Sequence, residues 1–199
     1  MGYFMFGQRR IVDEDGVDWE VYRFAADDTV VDLPWLRGMR MPVPPPQPIR
    51  LRFQDDSPDE GVFVDYVAAP VPLVSHLLRE AIERAGAANV EFYDVVVEGA
   101  EAYEDFPNYS AINVVGAIEV ADPARSSGMR AFGLPGADLF DRFVPRADLE
   151  TGFAIFRMAE QLSTLLVSER IVALCTELGV QTLEFTPLEA YGGDADQAS

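Results

Sequence analysis

One unit is written twice in this chain: LVSHLLREAIERAGAANVEF from Leu73 to Phe92, and LVSERIVALCTELGVQTLEF from Leu166 to Phe185. Leu-Val-Ser, the Gly eleven positions after the Ser, and the Glu-Phe that begins five positions after the Gly all coincide. Each copy reads as a whole helix followed by a strand. Ser75 and Ser168 are favoured N-cap residues, because a serine oxygen accepts a helix N–H that has no partner inside the helix. Leu78, Ala81, Ile82 and Ala85 in the first copy, and Ile171, Leu174, Cys175 and Leu178 in the second, recur every three or four residues and so share one stripe. Gly86 and Gly179 stand where a helix ends in a left-handed residue. The following segments, NVEFYDVVVEG and VQTLEFTPL, have strand composition. The expected fold is α+β in a single domain, a mixed β-sheet with two similar helix-strand units packed on it.

Around these units the pattern is mostly strand and loop. WEVYRF (Trp19 to Phe24) and PIRLRF (Pro48 to Phe53) read as strands, while MPVPPPQP between them can form neither helix nor central strand and is expected to be an extended connector. YSAINVVGAIEVA, Tyr109 to Ala121, is apolar on both alternating faces and reads as one central strand. Its two polar members, Asn113 and Glu119, are an even number of residues apart and are expected to share a face in a structural hydrogen-bond network. ARSSGMR reads as a turn, GFAIFRM and STLLV as strands. Residues 1–60 are therefore N-terminal strands and a Pro-rich connector within the same domain, 61–190 the core, and 191–199 a mobile tail.

The residues available exclude several chemistries. The single Cys forms no internal disulfide, and with one His a zinc site of several His and Cys ligands is ruled out. A Ser-His-Asp arrangement would have to use His76, which falls in the exposed first turn of a helix. Cys175 falls in mid-stripe, where a thiol is buried and inert. No Lys occurs, so neither a P-loop nor a Schiff-base lysine is possible. Neither QDDSPDEG nor DEDGVDWE has the spacing of a calcium loop. The expectation is no catalytic residue, no metal and no cofactor. A carboxylate-dependent hydrolase stays open as an alternative, since 34 acidic residues offer many pairs, as does a non-enzymatic scaffold or adaptor.

Charge says more about partners. The 34 acidic residues face 15 arginines, for a net charge of −19, and no basic residue occurs between Arg84 and Arg125. Nucleic acid and anionic membrane are repelled by such a surface and a basic protein is attracted. Glu98, Glu101, Glu104 and Asp105 form the leading candidate interface, with Asp55, Asp56, Asp59 and Glu60 second. The start MGYFMFGQRR has too short an apolar run for a signal peptide or membrane span, so the cytoplasm is the expected location.

From about Gly61 to Leu188 the chain resembles the bacterial immunity-protein family numbered eleven of polymorphic toxin systems, formerly a domain of unknown function. The resemblance is carried by Leu73-Val74-Ser75 leading a helix to Gly86, by NVEFYDV, and by the Tyr109 to Asn113 strand running on to Asp122 and the Ser126-Ser127 turn. Phe156-Arg157 ahead of LLVSERIVALCTELGVQTLEFTPL completes it. Where members tend to carry Asp on the central strand, this chain has Glu119. The resemblance implies a non-catalytic cytoplasmic protein that binds a cognate toxin domain, with a nuclease as one candidate, and blocks it by stoichiometric occlusion.

Overall fold

In the computed structural model, which describes residues 2–12, 15–130 and 134–191, both copies of the repeated unit form a helix and then a strand. In chain order the elements are β1 (Tyr3–Gln8), β2 (Phe24–Ala26), α1 (Asp28–Val31), β3 (Ile49–Phe53), β4 (Tyr66–Val67), β5 (Leu73–Val74), α2 (His76–Arg84) and β6 (Val90–Glu98). There follow β7 (Ser110–Val114), β8 (Ala117–Ile118), β9 (Ser127–Arg130), β10 (Asp138–Arg142), β11 (Ile155–Met158), β12 (Leu165–Ser168), α3 (Glu169–Leu178) and β13 (Leu183–Pro187). Ser75 caps α2 through a 3.2 Å bond from Leu78 N–H to its Oγ, and Gly86 follows the last turn at φ 80°. The second copy differs at its start. Ser168 occupies the N-cap of α3 in an extended conformation, but its side chain makes no capping bond.

The strands form a six-stranded sheet, in the order β2-β3-β6-β7-β5-β4, and a five-stranded sheet, β13-β1-β12-β11-β8, with β9 and β10 as a separate hairpin. Pairing is antiparallel except for β3 with β6 and β8 with β11. One apolar cluster joins α2 (Leu78, Ala81, Ile82), α3 (Ile171, Cys175), β7 (Ile112, Val114), β11 (Ile155) and β12 (Leu165, Val167), so the helix pair packs on both sheets at once. The other faces of the sheets have cores of their own. Phe24, Ile49, Leu51, Tyr93 and Val97 lie with Trp35 on the six-stranded side; Tyr3, Phe156, Met158 and Leu166 lie on the five-stranded side. Apolar neighbours on β11 and β12 thus alternate between cores, which explains the consecutive apolar pairs Ile155-Phe156 and Leu165-Leu166.

Two polar contacts join the sheets. Asn89 Nδ2 donates to Val115 O at 2.6 Å and to Ile155 O at 2.8 Å. Asp65 accepts from the Ser75 hydroxyl (2.6 Å), the Thr182 hydroxyl (2.7 Å) and Thr182 N–H (3.2 Å), tying the start of α2 to the approach to β13.

Several sequence expectations need correction. Tyr109 to Ala121 is not one strand. The chain leaves the six-stranded sheet after Val114, turns at Gly116 with φ 117°, and enters the other sheet at Ala117. A conformation that L side chains rarely adopt is what permits the break, and it comes from one small residue in an apolar run. Ser127–Arg130 is a strand and not a turn, and of WEVYRF only Phe24 joins a strand. β1 was not anticipated, yet it lies inside the five-stranded sheet between β12 and β13, so residues 1–60 are integral to the fold. The expected tail lies outside the described residues except for Tyr191, which is anchored by a 2.7 Å bond to Gln161 Oε1 and by packing on Phe143. Among the described residues no helix is long and apolar enough to cross a membrane.

The two serines predict unequal effects. Ser75→Ala removes both a cap and a bond to Asp65 and should cost about 1 kcal/mol or more, whereas Ser168→Ala should cost clearly less. Urea unfolding of the two variants checks this.

Candidate functional site

β3 and β6 run side by side in the same direction, with Arg52 opposite Glu98, so the segments that follow them leave the sheet at the same end. Those segments are the two acidic stretches. The loop after β3 is held to β2: Gln54 Nε2 donates to Phe24 O at 2.9 Å, Ser57 Oγ accepts from Arg23 N–H at 3.2 Å, and Ser57 N–H closes a turn onto Gln54 O. The chain after β6 turns at Gly99, φ 84°, into a single 3-10 turn, Ala100–Ala102.

An aromatic nest holds the two together. Tyr103 packs on Phe53 at 5.3 Å between centroids, on Phe63 at 5.3 Å and on Tyr22 at 5.2 Å. Phe106 meets Phe63 edge-on at 5.3 Å and Tyr109 at 5.5 Å. Such edge-on pairs contribute roughly 0.5–1.5 kcal/mol each beyond the area they bury. Tyr109 is buried, and its hydroxyl donates to Val64 O at 2.7 Å; burial pushes that phenol above its ordinary pKa. The Tyr103 phenol is raised as well, first by desolvation and then by Tyr22 and the nearby Asp59.

Around the nest Asp55, Asp56, Asp59, Glu60, Glu98, Glu101, Glu104 and Asp105 are all exposed. Only Asp56, 3.0 Å from Arg23, and Asp55, 3.6 Å from Arg52, have ion-pair partners among the described residues. Six carboxylates are left without a counter-charge. The two stretches inferred separately from sequence form one acidic end with an aromatic floor.

The expected network of Asn113 and Glu119 divides. Asn113 is fully buried, and its Nδ2 donates to Met39 O at 2.9 Å and to Glu91 Oε2 at 2.8 Å. Glu91 Oε2 also accepts from the Tyr93 hydroxyl (3.0 Å) and Met41 N–H (3.4 Å), and Arg40 lies 3.4 Å from Oε1. Burial pushes the Glu91 carboxyl up, but the bonds from Asn113, Tyr93 and Met41 and the charge of Arg40 outweigh it and hold the group below its ordinary range. Tyr93 moves the opposite way, pushed up to about 12 by burial and by Glu91. Glu119 has no part in this. The break at Gly116 carries the chain into the other sheet, and Glu119 follows β8 in an exposed position.

Glu119 instead lines an open cleft of about 480 Å³ with Ser126, Ser127, Asp138, Phe140 and Glu160. The carboxylate of Glu160 is engaged there, accepting from Val120 N–H at 2.9 Å and Ala121 N–H at 2.8 Å. The cleft is lined by none of the eight carboxylates of the acidic end. Cys175 is buried, and desolvation, assisted by Asp65, pushes its thiol up to about 12, so it stays protonated. His76 is exposed, with Nδ1 3.0 Å from Pro107 O. Among the described residues no group of three or more His, Cys, Asp or Glu is placed to hold a metal ion.

Sequence reasoning gave Glu91 and Arg157 no role. Arg157 is fully buried on β11, donating from Nη1 to Leu162 O at 2.8 Å and from Nη2 to Trp35 O at 3.0 Å. Its signal was present: a lone cation among Ile155, Phe156 and Met158 must bury its charge. Neither a comparison with protein-family models nor one with curated proteins gives a match.

The Glu91 carboxyl predicts a pH dependence. Its folded pKa is depressed, so its contribution is present above the unfolded value and is lost as pH falls through the folded one. Glu91→Gln should cost about 1 kcal/mol near neutral pH, and the difference from the unsubstituted protein should shrink as pH falls below about 4. Chemical denaturation across acid pH checks it.

Proposed function

We propose that this protein is an immunity protein, which binds a cognate bacterial toxin domain in the cytoplasm and neutralises it by stoichiometric occlusion rather than by turnover. The observation that carries this reading is the convergence of both acidic stretches over one aromatic nest. A protein interface gains most of its energy from buried aromatic anchors, and charge at the rim governs the rate of encounter. Tyr103, Phe63 and Phe106 are half-buried and supply the anchors; the unpaired carboxylates from Asp59 to Asp105 supply the rim. The order of motifs from Gly61 to Leu188 supports the same reading.

The partner surface is basic. A nuclease domain suits it well, because its phosphate-binding cleft accepts carboxylates in place of the nucleic-acid backbone. Occupying that cleft excludes the substrate without any chemistry on the part of the immunity protein.

Co-expression with the toxin domain encoded next to this protein should restore growth of an otherwise poisoned host; poisoning that persists at equal expression would overturn the proposal. Replacing Glu98, Glu101 and Glu104 by Gln and Asp105 by Asn should slow association with that toxin domain roughly tenfold or more at low salt. Surface plasmon resonance reads this directly.

A further inference from the structure

Between Asp32 and Asp55 the sequence has no carboxylate and four arginines, Arg37, Arg40, Arg50 and Arg52, in a chain whose net charge is −19. The first part of this stretch crosses the molecule as a strap fixed at Trp35, Gly38, Met39 and Met41. Trp35 O accepts from Arg157 Nη2 at 3.0 Å, Gly38 O from Gly116 N–H at 2.8 Å and Met39 O from Asn113 Nδ2 at 2.9 Å. Met41 N–H donates to Glu91. The Trp35 side chain turns inward, 3% exposed, with its indole N–H on Val30 O at 2.8 Å and its ring edge-on to Tyr93. The strap is therefore held, and its outward side chains are presented to solvent.

The strap and the helical turn before it expose four large apolar side chains: Val31 (38% exposed), Leu36 (41%), Met39 (48%) and Val43 (66%). Phe153, 38% exposed, adjoins them, since a Cβ on Gly116 would lie 3.9 Å from its ring and Gly116 is bonded to Gly38. Large apolar groups held rigidly in one exposed region mark an interaction surface.

We propose that this strap is a self-association face, on which a second copy of the chain docks about a two-fold axis. Charge identifies the occupant. Two molecules that each carry −19 repel wherever carboxylates face one another, and this is the long acid-free stretch of the sequence. The strap also carries its own complement, as an isologous contact requires: exposed Asp28 and Asp32 precede the apolar side chains, and exposed Arg37 and Arg40 interleave with them. Under a two-fold Asp28 and Asp32 of each copy meet Arg37 and Arg40 of the other, among Leu36, Met39 and Phe153. From Asp27 to Val43, with Ala117 and Phe153, thirteen residues are exposed, fewer than the roughly twenty a side of a standard interface and in keeping with a dimer that dissociates on dilution.

The face is separate from the acidic end. The strap meets β6 at Glu91 and the acidic end begins at Glu98, roughly 23 Å further along the strand at about 3.3 Å per residue. Association through the strap leaves both acidic ends open, so this inference and the proposed function can fail independently.

Sedimentation velocity over a wide concentration range tests it. The chain should reach twice its 22.0 kDa at high concentration and dissociate on dilution. Met39→Asp should be monomeric throughout while keeping the circular dichroism of the unsubstituted protein. Arg37→Asp and Asp32→Arg should each raise the dissociation constant several-fold, and the two together should restore it; these surface changes keep the test valid if Met39→Asp fails to fold. A monomer at every concentration, or a dimer indifferent to all of these substitutions, would overturn the proposal.

Discussion

The packing of α2 and α3 against both sheets is the constraint on which the rest depends. Leu78, Ile82, Ile171 and Cys175 meet Ile112 and Val114 from one sheet and Ile155, Leu165 and Val167 from the other in a single cluster. Burying such side chains contributes about 1.5–3 kcal/mol each, far more than the exposed Arg84–Glu177 pair that also links the helices. With one face of each sheet committed to the helices, the opposite faces must find other cover. On the six-stranded side the cover is the Trp35 strap and the aromatic nest, and that requirement places the two acidic stretches side by side.

What was legible in the sequence was what is local. α2, with its Ser75 cap, apolar stripe and Gly stop, can be read from about a dozen residues, and so can β6 and the exposure of QDDSPDEG. β1 could not be read that way. Its partners β12 and β13 lie at the far end of the chain, and Tyr3 to Gln8 alternates too weakly to announce a strand inside a sheet. The Tyr109 to Ala121 run failed for another reason: its apolar pattern is correct for the buried β7, and only the backbone at Gly116 shows that β8, exposed at Ala117, belongs to a different sheet. Glu119 was misassigned with it. The acidic stretches were individually visible, but their shared position follows from the parallel pairing of β3 and β6, which no local pattern encodes.

The polar interior was the least legible part. Asn113 stood out in an apolar run, but its partners Glu91, Met39 and, through Glu91, Arg40 and Tyr93 come from two other segments, β6 and the strap. Arg157 is a buried cation whose Nη1 and Nη2 donate to carbonyl oxygens of Leu162 and Trp35 while its Nε has no partner among the described residues. Such groups are costly to bury, and the bonds they do make favour one arrangement of chain over alternatives. Here the arrangement they fix is the strap, which covers the Trp35 core and presents Met39 and Leu36 outward.

The central claim is that the acidic end is a docking surface and not merely a means of solubility. Screening separates the two, because at physiological ionic strength the field of exposed charges decays over about 8 Å. The decisive measurement is the association rate constant between this protein and the toxin domain proposed as its partner, as a function of salt. A steep fall in that rate with rising ionic strength, with dissociation changing little, is the predicted result. A rate that does not respond to salt would contradict the account.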